Sequence, residues 1–321
     1  MIPLSYVFAF AVPFAISLFL MPVMMKLAVR FDFTDKPTER KIHSEPKPLI
    51  GGFVMFIAFT AGFVIFVARF DARLYAVLFG SALILAIGLA DDYYKTKGRD
   101  FPVLPRFVTH IAAAVIVFAA GIRFTGFFNP FTDQYVTLGP GLQFVMTVLW
   151  IVGLVSVINF MDGLDGLAGS LCALSSATFF IVAMVKQQPD SAFLALVLAG
   201  SVIGFLRHNL PPARVIMGDS GAYLLGYLLA VISLLGAFKG ATVISVLIPV
   251  LAMGVPIFDN VLVMFRRIRA RKPVHEADTR DIPQIHYRLL KKGMKPTQAV
   301  AFLFLISAFL NVTSIILLLV F

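Results

Sequence analysis

Asn159, Asp162 and Asp165 stand three residues apart in the stretch NFMDGLDGLAGS, with Gly163, Gly166 and Gly169 at the same interval beside them. In a helix that spacing puts the Asn and both Asp side chains on one face. The glycines on an adjacent line would let a second backbone or a ligand approach closely. Ordinary capping accounts for one Asp in a first helical turn; it does not account for the whole row. Upstream, Asp91 and Asp92 are adjacent in ADDYYK, with Lys95 four residues after Asp91. Adjacent carboxylates repel, and Mg²⁺, commonly held by one or two carboxylates plus water and phosphate oxygens, relieves that repulsion. An isolated pair of this kind is more often a solvated helix end. Downstream, Asp219 and Ser220 lie between Gly218 and Gly221, after Arg207, His208, Asn209 and the Pro211–Pro212 turn. Asp219 there reads either as a plain N-cap or as part of a helix N-terminus that receives phosphate.

These residues interrupt a chain built for lipid. Sixty per cent of the 321 residues are hydrophobic and 14% are charged, far from the balance of soluble domains. Ten apolar stretches recur, at about 3–25, 51–68, 74–90, 107–122, 141–158, 167–185, 191–206, 220–238, 240–262 and 297–320, each near the length of a bilayer-spanning helix. The first lacks a basic flank and a cleavage pattern, so it reads as a retained helix. The expectation is an all-α, polytopic integral membrane protein of about ten transmembrane helices, forming a single domain over 1–321. Its active-site loops would be at about 26–50, 91–106, 159–166, 207–219 and 263–296.

Charge sets the orientation. Of the 27 Lys and Arg, all but Arg69, Arg73, Arg123, Lys186 and Lys239 fall after odd-numbered stretches. By the positive-inside rule those loops are cytoplasmic and both termini extracytoplasmic. The net charge of +10 then reflects orientation and anionic lipid, and with no aromatic-basic module it does not point to nucleic acid. The single Cys172 cannot form an intrachain disulfide. Of 17 acidic residues, only Asp71, Asp133 and Asp190 fall on the outward side. Carboxylates beside membrane segments are costly and tend to face a cavity, a partner or an ion.

Two basic loops share the cytoplasmic face. RKIHSEPKPLIGG carries Arg40, Lys41, His43 and Lys47 ahead of a double glycine, and a long loop after the ninth stretch contains PQIHYRLL. The latter reads as a short interfacial helix with Ile285, Leu289 and Tyr287 toward lipid; its His286 alone would be unremarkable. Together the clusters bring metal-holding carboxylates, cations and glycine-rich helix ends to one surface, as phosphoryl transfer requires. No GxxxxGK[ST] or GxGxxG is present. A secondary transporter would gather its polar groups at mid-membrane and show an internal repeat; these lie at one face, without a repeat.

The ordered set RKIHSEPKPLIGG, ADDYYK, NFMDGLDGLAG, NLPPARVIMGDSGAYLLG and PIFDN resembles the polyprenyl-phosphate N-acetylhexosamine-1-phosphate transferases over essentially the whole chain. These include the bacterial enzymes that use UDP-N-acetylglucosamine and undecaprenyl phosphate and, more distantly, the phospho-N-acetylmuramoyl-pentapeptide transferases. The resemblance implies transfer of a sugar 1-phosphate from a UDP-N-acetylhexosamine to undecaprenyl phosphate in the bacterial inner membrane, with UMP released and the site facing the cytoplasm. It implies Mg²⁺, or alternatively Mn²⁺, on Asp219 with Asp162 close by, and Asp91 and Asp92 near the metal and the lipid phosphate. Asp165 would recognise uracil, Asn159 would assist at the diphosphate, and Lys47 would lie near the nucleotide. Asn209 falls within a matching motif and is taken as substrate-binding; His286 and Arg288 would handle phosphates or sugar. A homodimer is compatible with all of this. Gln284 and Tyr287 stand where relatives commonly carry histidines, and Ile216 where an aromatic residue often precedes Met-Gly-Asp.

Overall fold

The computed structural model describes residues 3–36, 45–67, 71–129, 132, 134–236, 243–270 and 284–320. Its chain runs α1 (Leu4–Arg30), β1 (Thr34–Asp35), β2 (Lys47–Pro48), α2 (Gly51–Phe66), α3 (Ala72–Thr96), α4 (Val103–Ala119), β3 (Gly126–Asn129), β4 (Gln134–Thr137) and α5 (Pro140–Met161). It continues through α6 (Leu167–Val185), α7 (Pro189–Asn209), α8 (Gly218–Gly236), α9 (Val243–Ala252), α10 (Gly254–Arg269), α11 (Ile285–Lys291) and α12 (Pro296–Val320). The helices α1, α3, α5, α6, α7, α8 and α12 are long and apolar enough to cross a bilayer, while α2 and α4 are apolar but shorter. The protein is an all-helical, polytopic membrane protein.

The helix α8 is its axis. The most apolar window of α8 is 94% buried, against 22% for α1, so α8 is enclosed by other helices while α1 faces outward. Packing around α8 uses small residues, as helices in lipid do for lack of a hydrophobic drive to associate. A Cβ at Gly88 of α3 would overlap the Cα of Ser220, so only glycine lets the end of α3 lie against the start of α8.

Prolines leave carbonyls that other helices must satisfy. Pro22 in α1 cannot donate to Leu18, and His208 Nε2 of α7 bonds to that carbonyl at 3.1 Å instead. The same physics divides the ninth apolar stretch, which the sequence presents as one span over 240–262. The helix breaks at Met253 because Pro256 has no N–H for the carbonyl of Ala252. Ser175 Oγ (2.7 Å) and Asn311 Nδ2 (3.0 Å) donate to that carbonyl, and Asn311 Oδ1 accepts from Thr178 Oγ1 at 2.6 Å. Beyond the break, α10 exposes Phe258, Val261, Phe265 and Ile268.

Two further expectations change. Ile285 and Leu289 of α11 pack against the cluster containing Leu164, Leu167 and Leu303 and not toward lipid, because the following α12 draws the short helix onto the bundle. The Asn159–Asp162–Asp165 row does not ride on one helix: α5 ends at Met161, Asp162 is its C-cap, and α6 starts only after Gly166, at φ 76°.

Candidate active site

The end of α3 meets the start of α8 through Asp92. Its carboxylate is fully buried and accepts the backbone N–H of Asp219 on Oδ1 (2.7 Å) and of Ser220 on Oδ2 (3.1 Å). A helix begins with unpaired N–H groups and a partial positive charge, so Asp92 caps α8 from a neighbouring helix. Gly218, at φ 74°, turns the chain into α8 where any side chain would strike that carboxylate. The cap holds Asp219, whose carboxylate is ion-paired with Lys95 one turn beyond Asp91. Asp91 itself is buried and adjoins Asp219. Arg106 Nη1 and Tyr223 Oη donate to its Oδ2 at 3.1 and 3.0 Å.

The glycine-rich turn after α5 brings two more carboxylates. Burial, with the charge of Asp219 second, pushes the Asp162 carboxyl up to about 7, which places Asp162 in the same electrostatic field as the α3–α8 cluster. Asp165 faces the other way. Its Oδ2 accepts from Lys47 Nζ at 3.2 Å and from the Ala213 N–H at 3.0 Å. Lys47 reaches it because β1 and β2 pair Asp35 with Lys47, and Gly51 and Gly52 at the start of α2 bond to the carbonyls of Ile216 and Met217. Asn209 is buried as a bracket: Oδ1 accepts from Gly166 N–H at 3.0 Å and Nδ2 donates to the Val215 carbonyl at 2.8 Å. Its side chain fixes the two loops to each other.

The helix α11 delivers His286 onto this turn. Asp259 of α10 accepts the Ile285 N–H on both carboxylate oxygens at 3.0 Å, capping α11. His286 is fully buried, neither ring nitrogen has a hydrogen-bond partner among the described residues, and burial pushes its pKa down to about 4. It is therefore a neutral imidazole near pH 7, with an unmet capacity to donate and accept. Its Nε2 sits where a Cβ of Gly163 would be, so that glycine is what admits the ring beside Asp162.

A sequence profile of glycosyl transferase family 4 matches residues 74–237, which contain all of α3 but its first two residues, the glycine-rich turn and Asp219. The chain is 32% identical, over 97% of its length and 84% of the relative's, to a probable undecaprenyl-phosphate N-acetylglucosaminyl 1-phosphate transferase of Bacillus subtilis. The chain belongs to glycosyl transferase family 4. A decaprenyl-phosphate N-acetylglucosaminephosphotransferase of Mycolicibacterium smegmatis is 32% identical over 87% of this chain and 74% of its own. A phospho-N-acetylmuramoyl-pentapeptide-transferase of Listeria monocytogenes is 30% identical over 70% of this chain and 74% of its own.

For this glycosyl transferase family 4 chain the site divides in two. Asp91, Asp92, Asp219 and Lys95 meet where α3 ends and α8 begins, with Asp162 close by; Lys47 and Asp165 pair at the far side of the turn that Asn209 holds. Asn159 and Arg288 make no side-chain hydrogen bond among the described residues. The loop cations Arg40, Lys41 and His43 lie outside the described residues. Among the described residues, no three His, Cys, Asp or Glu side chains converge to hold a metal unaided. The donors are carboxylate oxygens, and Asp162 feels the charge of Asp219. That set fits a hard cation which takes its remaining ligands from water and phosphate, as Mg²⁺ does.

Arg106, Tyr223 and Asp259 contact the site residues although the sequence motifs do not point to their roles. Tyr223 had a usable signal: it follows Asp219 by four residues, hence shares its helix face. Arg106 is one of many basic residues in its stretch of sequence, so its type alone does not single it out. Asp259 lay within PIFDN, but only the packing of α10 against α11 gives it a task.

Proposed function

We propose that this protein transfers N-acetylglucosamine 1-phosphate from UDP-N-acetylglucosamine to undecaprenyl phosphate, releasing UMP. It would do so on the cytoplasmic face of a bacterial plasma membrane, crossed ten times with both termini outward. The observation that carries the reading is the meeting of Asp91, Asp219 and Lys95 at the α3–α8 junction, in a chain that aligns with the Bacillus subtilis relative over 97% of its length. The shorter alignment with the Listeria relative, 70%, favours the plain amino sugar over a pentapeptide-bearing donor. The one-sided distribution of Lys and Arg supports the orientation.

A phosphate monoester with a second pKa near ~6 is largely dianionic at pH 7, so the acceptor has little need of a base. Bringing it against an anionic diphosphate is the harder task. An acceptor oxygen attacks the β-phosphorus; the bond from that phosphorus to the bridging oxygen breaks, and its electron pair leaves with UMP. Asp91 orients the acceptor phosphate. Asp92 acts at one remove, by fixing α8 and with it Asp219. Lys95 offsets charge beside the reacting phosphorus. Lys47, Asp165 and Asn159 hold the nucleotide, and neutral His286, with Arg288 on the same short helix, offers hydrogen bonds to phosphate or sugar. Mg²⁺ (or Mn²⁺), held by Asp219 and Asp162, would supply the positive charge that joining two anions requires.

The test is UMP release by detergent-purified protein given Mg²⁺, undecaprenyl phosphate and, separately, UDP-N-acetylglucosamine, UDP-N-acetylgalactosamine or UDP-N-acetylmuramoyl-pentapeptide. The expected result is release with the first donor only, dependent on the lipid phosphate and reduced about 100-fold or more by Asp219→Asn. Release that ignores the lipid, or that Asp219→Asn leaves intact, would refute the reading.

A further inference from the structure

Two helices converge on one oxygen of Asp91, which a third, α3, carries. Arg106, in the first turn of α4, has a guanidinium side chain only 24% exposed. Its Nη2 donates to the Phe101 carbonyl at 2.9 Å and its Nε to the Pro102 carbonyl at 3.4 Å, so the fork is anchored to the loop that leads into α4. Nη1 then reaches Asp91 Oδ2 at 3.1 Å and Tyr223 Oη at 3.5 Å. Tyr223, from α8, donates to the same Oδ2 at 3.0 Å. Its ring is in turn held edge-on by buried His110 of α4, with centroids 4.7 Å apart at 72°.

Both bonds fall on Oδ2, no described N–H or O–H is bonded to Oδ1, and the carboxylate lies against that of Asp219. The terminal torsion of an Asp side chain is broad, so a carboxylate held by nothing would offer either oxygen in many orientations. Two donors on one oxygen, arriving from different helices, select both the torsion and the oxygen that is presented. A guanidinium tied down on two carbonyls loses little further freedom in doing so, and its charge is the partner a buried carboxylate needs.

We propose that Arg106 and Tyr223 are positioning residues for Asp91, fixing Oδ2 so that Oδ1 faces the acceptor phosphate. The inference rests on the phosphosugar-transfer reading, since it assigns Asp91 the acceptor. It separates Arg106 from a cation that grips substrate directly: its nitrogens are taken up by Asp91, Tyr223 and the backbone.

The experiment compares wild type, Arg106→Ala, Arg106→Lys and Tyr223→Phe in steady-state UMP release. Apparent KM is measured for donor and lipid, with thermal melting of each protein alongside. Small misplacements of a reacting group cost rate at about the hundredfold scale. Arg106→Ala is therefore expected to lower kcat about 100-fold and Tyr223→Phe about 10-fold, each with both KM values within about threefold of wild type. Arg106→Lys should recover part of the loss. Tyr223→Phe keeps the ring against His110, so it decides the matter if Arg106→Ala does not fold. A rise in either KM at unchanged kcat would make Arg106 a substrate ligand and overturn the inference, as would full kcat in Tyr223→Phe. Wild type that releases no UMP would overturn this inference and the transfer reading together; normal wild-type turnover with unaffected variants would overturn the inference alone.

Discussion

Asp91 and Asp92 are neighbours of one residue type with different surroundings. Asp92 is bonded on both oxygens to the backbone of α8, whereas Asp91 is held on Oδ2 by the side chains of Arg106 and Tyr223 and lies against the carboxylate of Asp219. Replacing Asp92 by Asn would turn an amide N–H₂ toward a buried backbone N–H, a mismatch costing about 1–3 kcal/mol. Asp91→Asn keeps an acceptor for Arg106 and Tyr223 and loses only charge. Asp92→Asn is therefore expected to melt a few degrees lower and to turn over slowly, while Asp91→Asn melts like wild type and is nearly inactive. An unshifted melting temperature for Asp92→Asn with turnover abolished would make Asp92, and not a cap at one remove, the carboxylate that orients the acceptor. Residue types and spacing disclosed which carboxylates gather at the helix ends, because an apolar chain has few reasons to keep them there. They could not disclose that Asp92 and Asn209 are taken up by backbone groups, since those partners come from distant segments. Asn209, whose motif predicts substrate binding, joins Gly166 to Val215 in the structure.

At the scale of elements, the short α11 matters most, because it is too short to hold itself. Seven residues make less than two helical turns, well below what is stable alone in water. Asp259 caps its start, and the glycine-rich turn receives its His286. Gly163→Ala places a methyl group where Nε2 of His286 lies, so either α11 or the turn must withdraw. Turnover in Gly163→Ala is expected to fall at least about tenfold, with melting close to wild type; kcat at wild-type level would show that the seat of His286 has no bearing on the reaction. The periodicity of apolar residues disclosed every long helix. It did not disclose the break at Met253, which follows from a missing proline N–H and a network reaching from α6 and α12. Nor did it disclose that α5 stops at Met161, since three-residue spacing suits a helix and a turn alike.

The whole molecule arranges one buried axis, α8, so that its first residues lie at the face where acidic groups gather. The C-terminal end of α3, the turn after α5, the start of α8 and the short α11 are separated by more than 190 residues of sequence between Asp91 and His286, yet they form one surface. The placing of carboxylates at the ends of apolar stretches made that surface legible in the sequence, because buried charge beside a membrane segment needs a cavity, a partner or an ion. What joins sequence to chemistry is the claim that the broken bond lies between the two phosphorus atoms of the donor, and not between sugar and phosphate. That is tested most directly with donor labelled at the β-phosphorus with ³²P, incubated with protein, Mg²⁺ and undecaprenyl phosphate. Label recovered in the lipid fraction, with unlabelled UMP released in equal amount, is the expected result. Label leaving as UDP, with only sugar on the lipid, would contradict it.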